Sequence, residues 1–203
     1  MRLRRCGVDA VLIEVSSLDE VEAVRSALAA ADLPDLVELV PAARTVLATF
    51  RSGSGGVAQL RPLLDGVDLG QRAHGTPREV VLQVHYDGPD LGLIAETAGT
   101  SVDGVVDLHT GAEYKVAFCG FAPGFGYLVG LPAELQQARL DNPRKRVPPG
   151  SVGIAGEFTG AYPTASPGGW RLLGHTDAVL FDSHRDPAAL LSPGDVVRFE
   201  AVR

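Results

Sequence analysis

Hydrophobic and polar positions near the start of the chain alternate in blocks that predict strands and helices in turn. Residues 9–15 (DAVLIEV) alternate like a half-buried strand, and apolar residues in 17–31 recur at helical spacing. Ser17, with Glu20 three residues later, forms a capping box that marks where this helix begins. The chain therefore opens with a strand followed by an amphipathic helix.

The same pattern continues to about residue 85. Short strands at 36–40 and 45–50 form a predicted hairpin, a helix follows at 57–64, and residues 79–84 (EVVLQV) return to strand. This βαββαβ order is typical of the split βαβ, or ferredoxin-like, arrangement. We therefore expect a small N-terminal ferredoxin-like α/β domain over residues 1–85.

The pattern changes over residues 86–203. Two short helices are expected, at 86–99 and 101–109, and brief strands follow them between turns (YKVAFCGF, SVGIAG, WRLLG, AVLF and VVRFE). Gly and Pro fill 17 of the 50 positions from 120 to 169, which excludes a helical bundle. Many short strands with frequent turns indicate a closed or nearly closed β-barrel, so the fold class is α+β.

Composition and charge narrow the function classes. The chain has 203 residues with a net charge of −7, and 18 basic against 25 acidic residues disfavour nucleic acid as a partner. No apolar stretch is long enough to span a bilayer, so no membrane association is expected. Cys6 and Cys119 lack metal-ligand or disulfide-framework spacing, which favours a cytoplasmic location, and no metal site is predicted.

The loops at 120–128 (GFAPGFGYL) and 164–170 (TASPGGW) are the richest candidates for a binding site. Their glycines allow a close backbone approach, and their aromatic residues can form the wall of a pocket. The alternative is that these residues only turn the corners of the barrel.

Two polar residues near these loops are candidates for chemistry. His109 follows a predicted helix and has an ordinary pKa suited to acid–base work, although it could equally pack at the helix end. Arg144 lies in the basic run DNPRKRVPPG, where a fixed guanidinium can bind a carboxylate or phosphate through two hydrogen bonds. Such runs are also commonly solvated surface, and both interpretations stay open.

Several of these segments together resemble a known family. AFCGFAPGFGYL, PRKRVPPGSVGIAGEFTGAYPTASPGGWRLLGHT, LFD and LSPGDVVRF are similar to the B subunits of 5-oxoprolinase, also called the kinase A inhibitor-like or allophanate hydrolase subunit 1 family, with carboxyltransferase subdomains C and D. The resemblance covers nearly all of residues 78–203, and the N-terminal part agrees in length and strand order. It implies a cyclophilin-like barrel after a small α/β domain.

The resemblance also implies an activity and partners. Proteins of this type act with the A and C subunits of 5-oxoprolinase to hydrolyse 5-oxo-L-proline to L-glutamate using ATP. The complex would use ATP, with Mg²⁺ as a possible companion and no tightly bound cofactor, and this chain alone would be inactive. Two alternatives are inhibition of a sensor histidine kinase and membership of a urea- or allophanate-processing enzyme.

Mapped onto this sequence, the family pattern suggests the residues of a site. His109 and Arg144 are the candidate catalytic residues. The candidate substrate-binding residues are Phe121, Phe125, Tyr127, Thr159, Tyr162, Ser166 and Trp170. This chain has His175 where the family commonly has an arginine, so an anion contact made by that arginine would be lost or become pH-dependent.

Overall fold

The computed structural model describes residues 1–69 and 77–202, and the chain divides into two compact units, Met1–Thr76 and Pro77–Arg203. The described part of the first unit contains four strands and two helices. In chain order these are β1 (Arg2–Arg5), β2 (Ala10–Glu14), α1 (Leu18–Ala30), β3 (Leu36–Pro41), β4 (Thr45–Phe50) and α2 (Val57–Asp65).

The first unit is built on a four-stranded antiparallel sheet with the order β1-β2-β4-β3. Helix α1 buries Val21, Val24 and Leu28 in the same hydrophobic cluster as the apolar residues of β2 and β4. The predicted N-cap is confirmed, because Ser17 Oγ accepts the backbone N–H of Glu20 at 3.3 Å. The Glu20 carboxylate accepts the N–H of Ser16 at 2.8 Å, rather than that of Ser17 as in a standard capping box.

The predicted ferredoxin-like domain is not confirmed, because its last strand lies elsewhere. The strand β5 (Glu79–Val84) pairs in parallel with a C-terminal strand of the second unit. In the first unit, the outer position beside β2 is taken by β1, which the sequence analysis did not predict. The two units divide between Thr76 and Pro77 rather than after residue 85.

The second unit combines a large sheet with two α-helices and a single 3₁₀ turn (Ala133–Leu135) in its described residues. The helices and strands in chain order are β5 (Glu79–Val84), α3 (Leu91–Ala98), α4 (Val102–Gly111), β6 (Tyr114–Cys119), β7 (Gly126–Val129), β8 (Arg144–Val147), β9 (Ser151–Ala155), β10 (Phe158–Ala161), β11 (Ser166–Gly168), β12 (Arg171–His175) and β13 (Val196–Ala201).

Seven of these strands form a nearly closed barrel with the order β12-β9-β10-β7-β6-β13-β5. The two edge strands of this order, β5 and β12, meet at their C-terminal ends. There His85 and His175 exchange backbone hydrogen bonds of 2.8 and 2.9 Å. Gly174 is required at this seam, because a Cβ there would collide with the carbonyl oxygen of His85. The expected barrel is thus present, while its likeness to cyclophilins stays a prediction.

The two helices of this unit begin and end as their sequences indicate. Ser101 Oγ accepts the N–H of Gly104 at 3.0 Å, and Gly99 ends α3 in a left-handed conformation with φ of 65°. The strand predicted over AVLF is not formed, since only Phe181 makes an isolated bridge, to Ala189. None of the helices in the described residues is long and apolar enough to cross a membrane.

Candidate functional site

The second unit carries a cleft of about 790 Å³ whose walls come from well-separated parts of the chain. The loop before β7, the segment before β8, the β9–β10 hairpin and the region around β11 all contribute. The described residues that line the cleft are Phe121, Phe125, Tyr127, Gln136, Gln137, Ala138, Arg139, Ala155, Gly156, Glu157, Phe158, Tyr162, Pro167, Gly168 and Trp170.

Aromatic rings form one wall of the cleft, with Phe125 at its centre. The Phe125 ring centroid lies 5.0 Å from Tyr127, 5.2 Å from Tyr162 and 5.3 Å from Trp170, in edge-to-face geometry each time. Edge-to-face pairs at these distances add to the stability that burial alone provides. The wall is therefore rigid, and its outer rings present apolar edges to whatever enters the cleft.

Phe121 covers this wall from the solvent side. Its side chain is 60% exposed, yet its ring centroid is only 5.3 Å from Phe125. The backbone of Phe121 has φ of 69°, a left-handed conformation that is costly for a bulky residue. A strained, exposed aromatic residue at the mouth of a cleft is typical of a binding site.

Two glycines make room for the aromatic side chains. A Cβ at Gly160 would lie 2.8 Å from the Gly126 carbonyl oxygen and 3.2 Å from the Trp170 ring. At Gly168 it would lie 2.6 Å from the Tyr162 hydroxyl oxygen. These glycines therefore shape the cleft as well as turning the chain, which joins the two interpretations that the sequence left open.

The charged lining consists of Arg139 and Glu157. Neither makes an ion pair or side-chain hydrogen bond with another residue in the described ranges, and both are exposed. Burial raises the pKa of Tyr127 and of Tyr162, and the positive charge of Arg139 opposes that rise in both phenols. The sequence analysis missed Arg139, which stands outside the quoted motifs and outside the basic run.

Arg144 lies beside the cleft rather than in its lining. Its Nη2 donates to Oδ1 of Asp90 at 2.6 Å, and its Nη1 donates to the Trp170 carbonyl at 3.2 Å. Asp90 is 7% exposed, so this ion pair is largely withdrawn from water. The guanidinium is thus already bound to a carboxylate, and an additional anion would have to compete with Asp90.

His109 lies on α4 and is fully buried, with its ring against Tyr114 and Phe199 of the barrel strands. Thr159 donates its hydroxyl to the Gly153 carbonyl at 3.1 Å, so its oxygen accepts Nε2–H of His109 at 3.0 Å. Nδ1 then accepts the Tyr86 hydroxyl at 2.7 Å. Burial lowers the pKa of His109 to about 3, so the ring is neutral and doubly hydrogen-bonded at physiological pH.

The predicted site residues thus separate into two groups. Five predicted substrate-binding residues line the cleft: Phe121, Phe125, Tyr127, Tyr162 and Trp170. Thr159 is instead fully buried beside His109, and Ser166 precedes the cleft residue Pro167, with a buried hydroxyl that lacks a partner among the described residues. The functional roles of all nine predicted site residues stay predictions.

One known family matches most of this chain. The family described as carboxyltransferase domain, subdomain C and D, matches residues 1–191. The chain belongs to that family. The resemblance stated from the sequence motifs is confirmed.

This carboxyltransferase-domain chain is similar to three known proteins. The 5-oxoprolinase B subunit of Escherichia coli O157:H7 is 39% identical over 98% of this chain and 96% of its own length. The crystal structure of TTHA0988 matches 97% of this chain with a TM-score of 0.83 and 34% identity, and this chain covers 40% of it. Urea carboxylase of Kluyveromyces lactis matches 99% of this chain with a TM-score of 0.76, over 22% of its own length. At 19% identity, that last likeness concerns the fold alone.

The described residues of this carboxyltransferase-domain chain offer no fitting site for a magnesium ion. They contain no group of three or more His, Cys, Asp or Glu side chains arranged to hold a metal. No residue in the described ranges is therefore assigned to Mg²⁺.

Proposed function

We propose that this chain acts as the B subunit of a 5-oxoprolinase complex, which hydrolyses 5-oxo-L-proline to L-glutamate. The observation that carries the proposal is the 39% identity to a 5-oxoprolinase B subunit over nearly the full length of both chains. The match runs through both units, so it supports the role of a whole subunit rather than that of a shared domain. The partners would be the A and C subunits, and the location would be cytoplasmic.

The cleft suits the chemistry of such a substrate. 5-Oxo-L-proline is a small, nearly planar lactam that carries one carboxylate and one amide N–H. Aromatic edges can hold its apolar ring, and a few polar groups at the rim can fix its orientation, as in most small-molecule sites. Holding the ring in one orientation lowers the barrier to attack on the amide carbon by removing rotational freedom in advance.

The residues of this chain suggest which part of the reaction it would contribute to the complex. Hydrolysis of a stable lactam is proposed to draw on ATP in the assembled complex. This chain would bind and orient the substrate, and its neutral, buried His109 would hold α4 against β10 through Thr159. The isolated chain is therefore expected to have no turnover.

Reconstitution of the complex tests this function. The chain would be co-expressed with its candidate A and C partners, and glutamate release from 5-oxo-L-proline measured with and without ATP. We expect ATP-dependent glutamate release that disappears when this chain alone is omitted. Release that persists without this chain would contradict the proposal.

Two substitute assays address the alternatives that the sequence left open. Consumption of ATP with urea in place of 5-oxo-L-proline would favour a urea-processing enzyme, for which the structural likeness supports only the fold. Inhibition of histidine kinase autophosphorylation by the chain, without any glutamate release by the complex, would favour a regulatory role.

A further inference from the structure

Arg139 differs from the neighbouring arginine Arg144 in being free to bind a ligand. Arg144 is held by Asp90, whereas Arg139 has no ion pair or side-chain hydrogen bond to any residue in the described parts of the chain. Arg139 is also the single cation in the described lining of the cleft. A guanidinium that lines an aromatic cleft without a carboxylate partner is suited to bind an anion.

The backbone around Arg139 is fixed, although its side chain is free. The carbonyl of Gln137 accepts the N–H of Gly156 at 2.7 Å, and Leu140 donates its N–H to the carbonyl of Gly169 at 2.7 Å. In addition, the carbonyl of Ala138 accepts Nε–H of Arg171 at 3.1 Å. Three anchors within four residues hold the origin of the Arg139 side chain in place, so less order has to be created when a ligand binds.

The surroundings direct this side chain along the cleft. Nε of Arg139 lies 3.6 Å from the position that a Cβ on Gly169 would occupy, so the side chain runs beside the backbone of Gly169, next to the wall residue Trp170. The charge of Arg139 also acts on the phenols of Tyr127 and Tyr162, two of the aromatic wall residues. Guanidinium and aromatic wall therefore face the same small space.

The second charged residue of the lining limits the class of anion. Glu157 adds a carboxylate to the same cleft, and it would repel a ligand with several negative charges, such as a polyphosphate. A carboxylate acceptor instead favours a ligand that carries an N–H donor. The lining as a whole matches a small, planar monocarboxylate with an amide N–H.

We propose that Arg139 binds the carboxylate of such a cyclic amide in the aromatic cleft and is the principal anion-binding residue of this chain. The identity of the ligand as 5-oxo-L-proline rests on the proposed function. The anion site itself rests only on the geometry of the cleft.

The variant Arg139→Gln tests this assignment, with Arg146→Gln as its matched control. Arg146 is an exposed arginine of β8 that does not line the cleft and has no ion pair within the described chain. In the reconstituted complex, we expect Arg139→Gln to raise KM for 5-oxo-L-proline by about tenfold or more, since charge-assisted hydrogen bonds are lost. The control should leave KM unchanged.

Direct binding to the full-length chain provides a second readout. Trp170 is the single tryptophan and lines the cleft, so its fluorescence reports on occupancy. The probes are 5-oxo-L-proline and 2-pyrrolidinone, which has the same ring without the carboxylate. We expect the native chain to bind the carboxylate probe more tightly, and Arg139→Gln to remove that preference while binding of 2-pyrrolidinone is unchanged.

The two readouts separate the anion site from the proposed function. Normal turnover by the complex with an unchanged KM in Arg139→Gln overturns the anion site and leaves the function intact. If the complex releases no glutamate, the function fails, and the fluorescence titration decides the anion site alone. The anion site is overturned if the native chain shows no preference for the carboxylate probe. It is also overturned if Arg139→Gln keeps that preference.

Discussion

Arg144 and Asp90 form a largely buried ion pair, with Nη2 of the arginine 2.6 Å from Oδ1 of the aspartate. The other oxygen of Asp90 accepts the backbone N–H of Leu172 at 2.7 Å, and Arg144 also donates to the carbonyl of Trp170. One carboxylate thereby ties the start of α3 to β8 and β12. The pair also contacts the backbone of Trp170, a residue of the cleft wall, while the catalytic role expected of Arg144 stays a prediction.

Arg144→Ala is therefore expected to reduce stability. The substitution leaves Asp90 nearly buried and without its cation, which costs about 2 kcal/mol in the free energy of unfolding, less than for a fully buried pair because Arg144 keeps some solvent exposure. Asp90→Ala should cost more, since it also leaves the Leu172 N–H without an acceptor. Urea denaturation measures both changes.

Arg146→Ala is the control for this prediction. Arg146 lies on the same strand, two residues from Arg144, and is exposed. Its removal should change the free energy of unfolding by less than about 0.5 kcal/mol. Equal midpoints for Arg144→Ala and Arg146→Ala would show that the ion pair adds nothing to stability.

His109 makes the stability of the chain sensitive to acid. Its pKa is about 3 in the folded chain, lowered by burial, and about 6.5 when unfolded, so between these values only the unfolded chain takes up the proton. Stability from this group is complete above pH 6.5 and falls as the pH drops toward 3. Between pH 8 and pH 5 the loss is about 2 kcal/mol.

Comparing the native chain with a His109 variant separates the contribution of His109 from those of the other titrating groups. The free energy of unfolding of the native chain should fall by about 2 kcal/mol more than that of His109→Gln between pH 8 and pH 5. The exposed His184→Gln should follow the native chain across the same range. An NMR titration of the native chain gives an independent measurement, and a His109 imidazole that titrates near pH 6.5 would contradict the assignment.

The sequence predicted those features that depend on residues close together in the chain. The cap at Ser17, the left-handed glycine after α3 and the aromatic character of the loop around Phe125 all follow from residues close together in the chain. Strand β5 was recognised as a strand, but its partner lies more than a hundred residues away at β13. An alternating pattern states which face is buried and not which sheet the strand joins.

The site was harder to predict because its decisive contacts are long-range. Asp90 is 54 residues from Arg144, and Thr159 is 50 residues from His109. The sequence therefore could not show that the two favoured polar residues already had partners. Arg139 had no motif around it, and only the folded chain places it against the aromatic wall.

Phe121 allows a test of strain at the mouth of the cleft. Phe121→Gly and Phe121→Ala both remove the ring, but only glycine adopts a φ of 69° without steric cost. The glycine variant should therefore be about 1 kcal/mol more stable than the alanine variant in thermal unfolding. Both should bind 5-oxo-L-proline more weakly than the native chain. An alanine variant as stable as the glycine variant would show that the backbone is not strained.

Gly168 and Gly92 should respond in opposite ways to the same substitution. A Cβ on Gly168 would lie 2.6 Å from the hydroxyl oxygen of the buried Tyr162, so Gly168→Ala must displace that ring and should cost about 1–3 kcal/mol. Gly92 lies within α3 with no atom near its missing Cβ, so Gly92→Ala should stabilise the helix by about 0.5–1 kcal/mol. Denaturation midpoints measure both effects, and weaker 5-oxo-L-proline binding should accompany only Gly168→Ala. A Gly168→Ala variant as stable as the native chain would contradict the role of Gly168 in shaping the cleft.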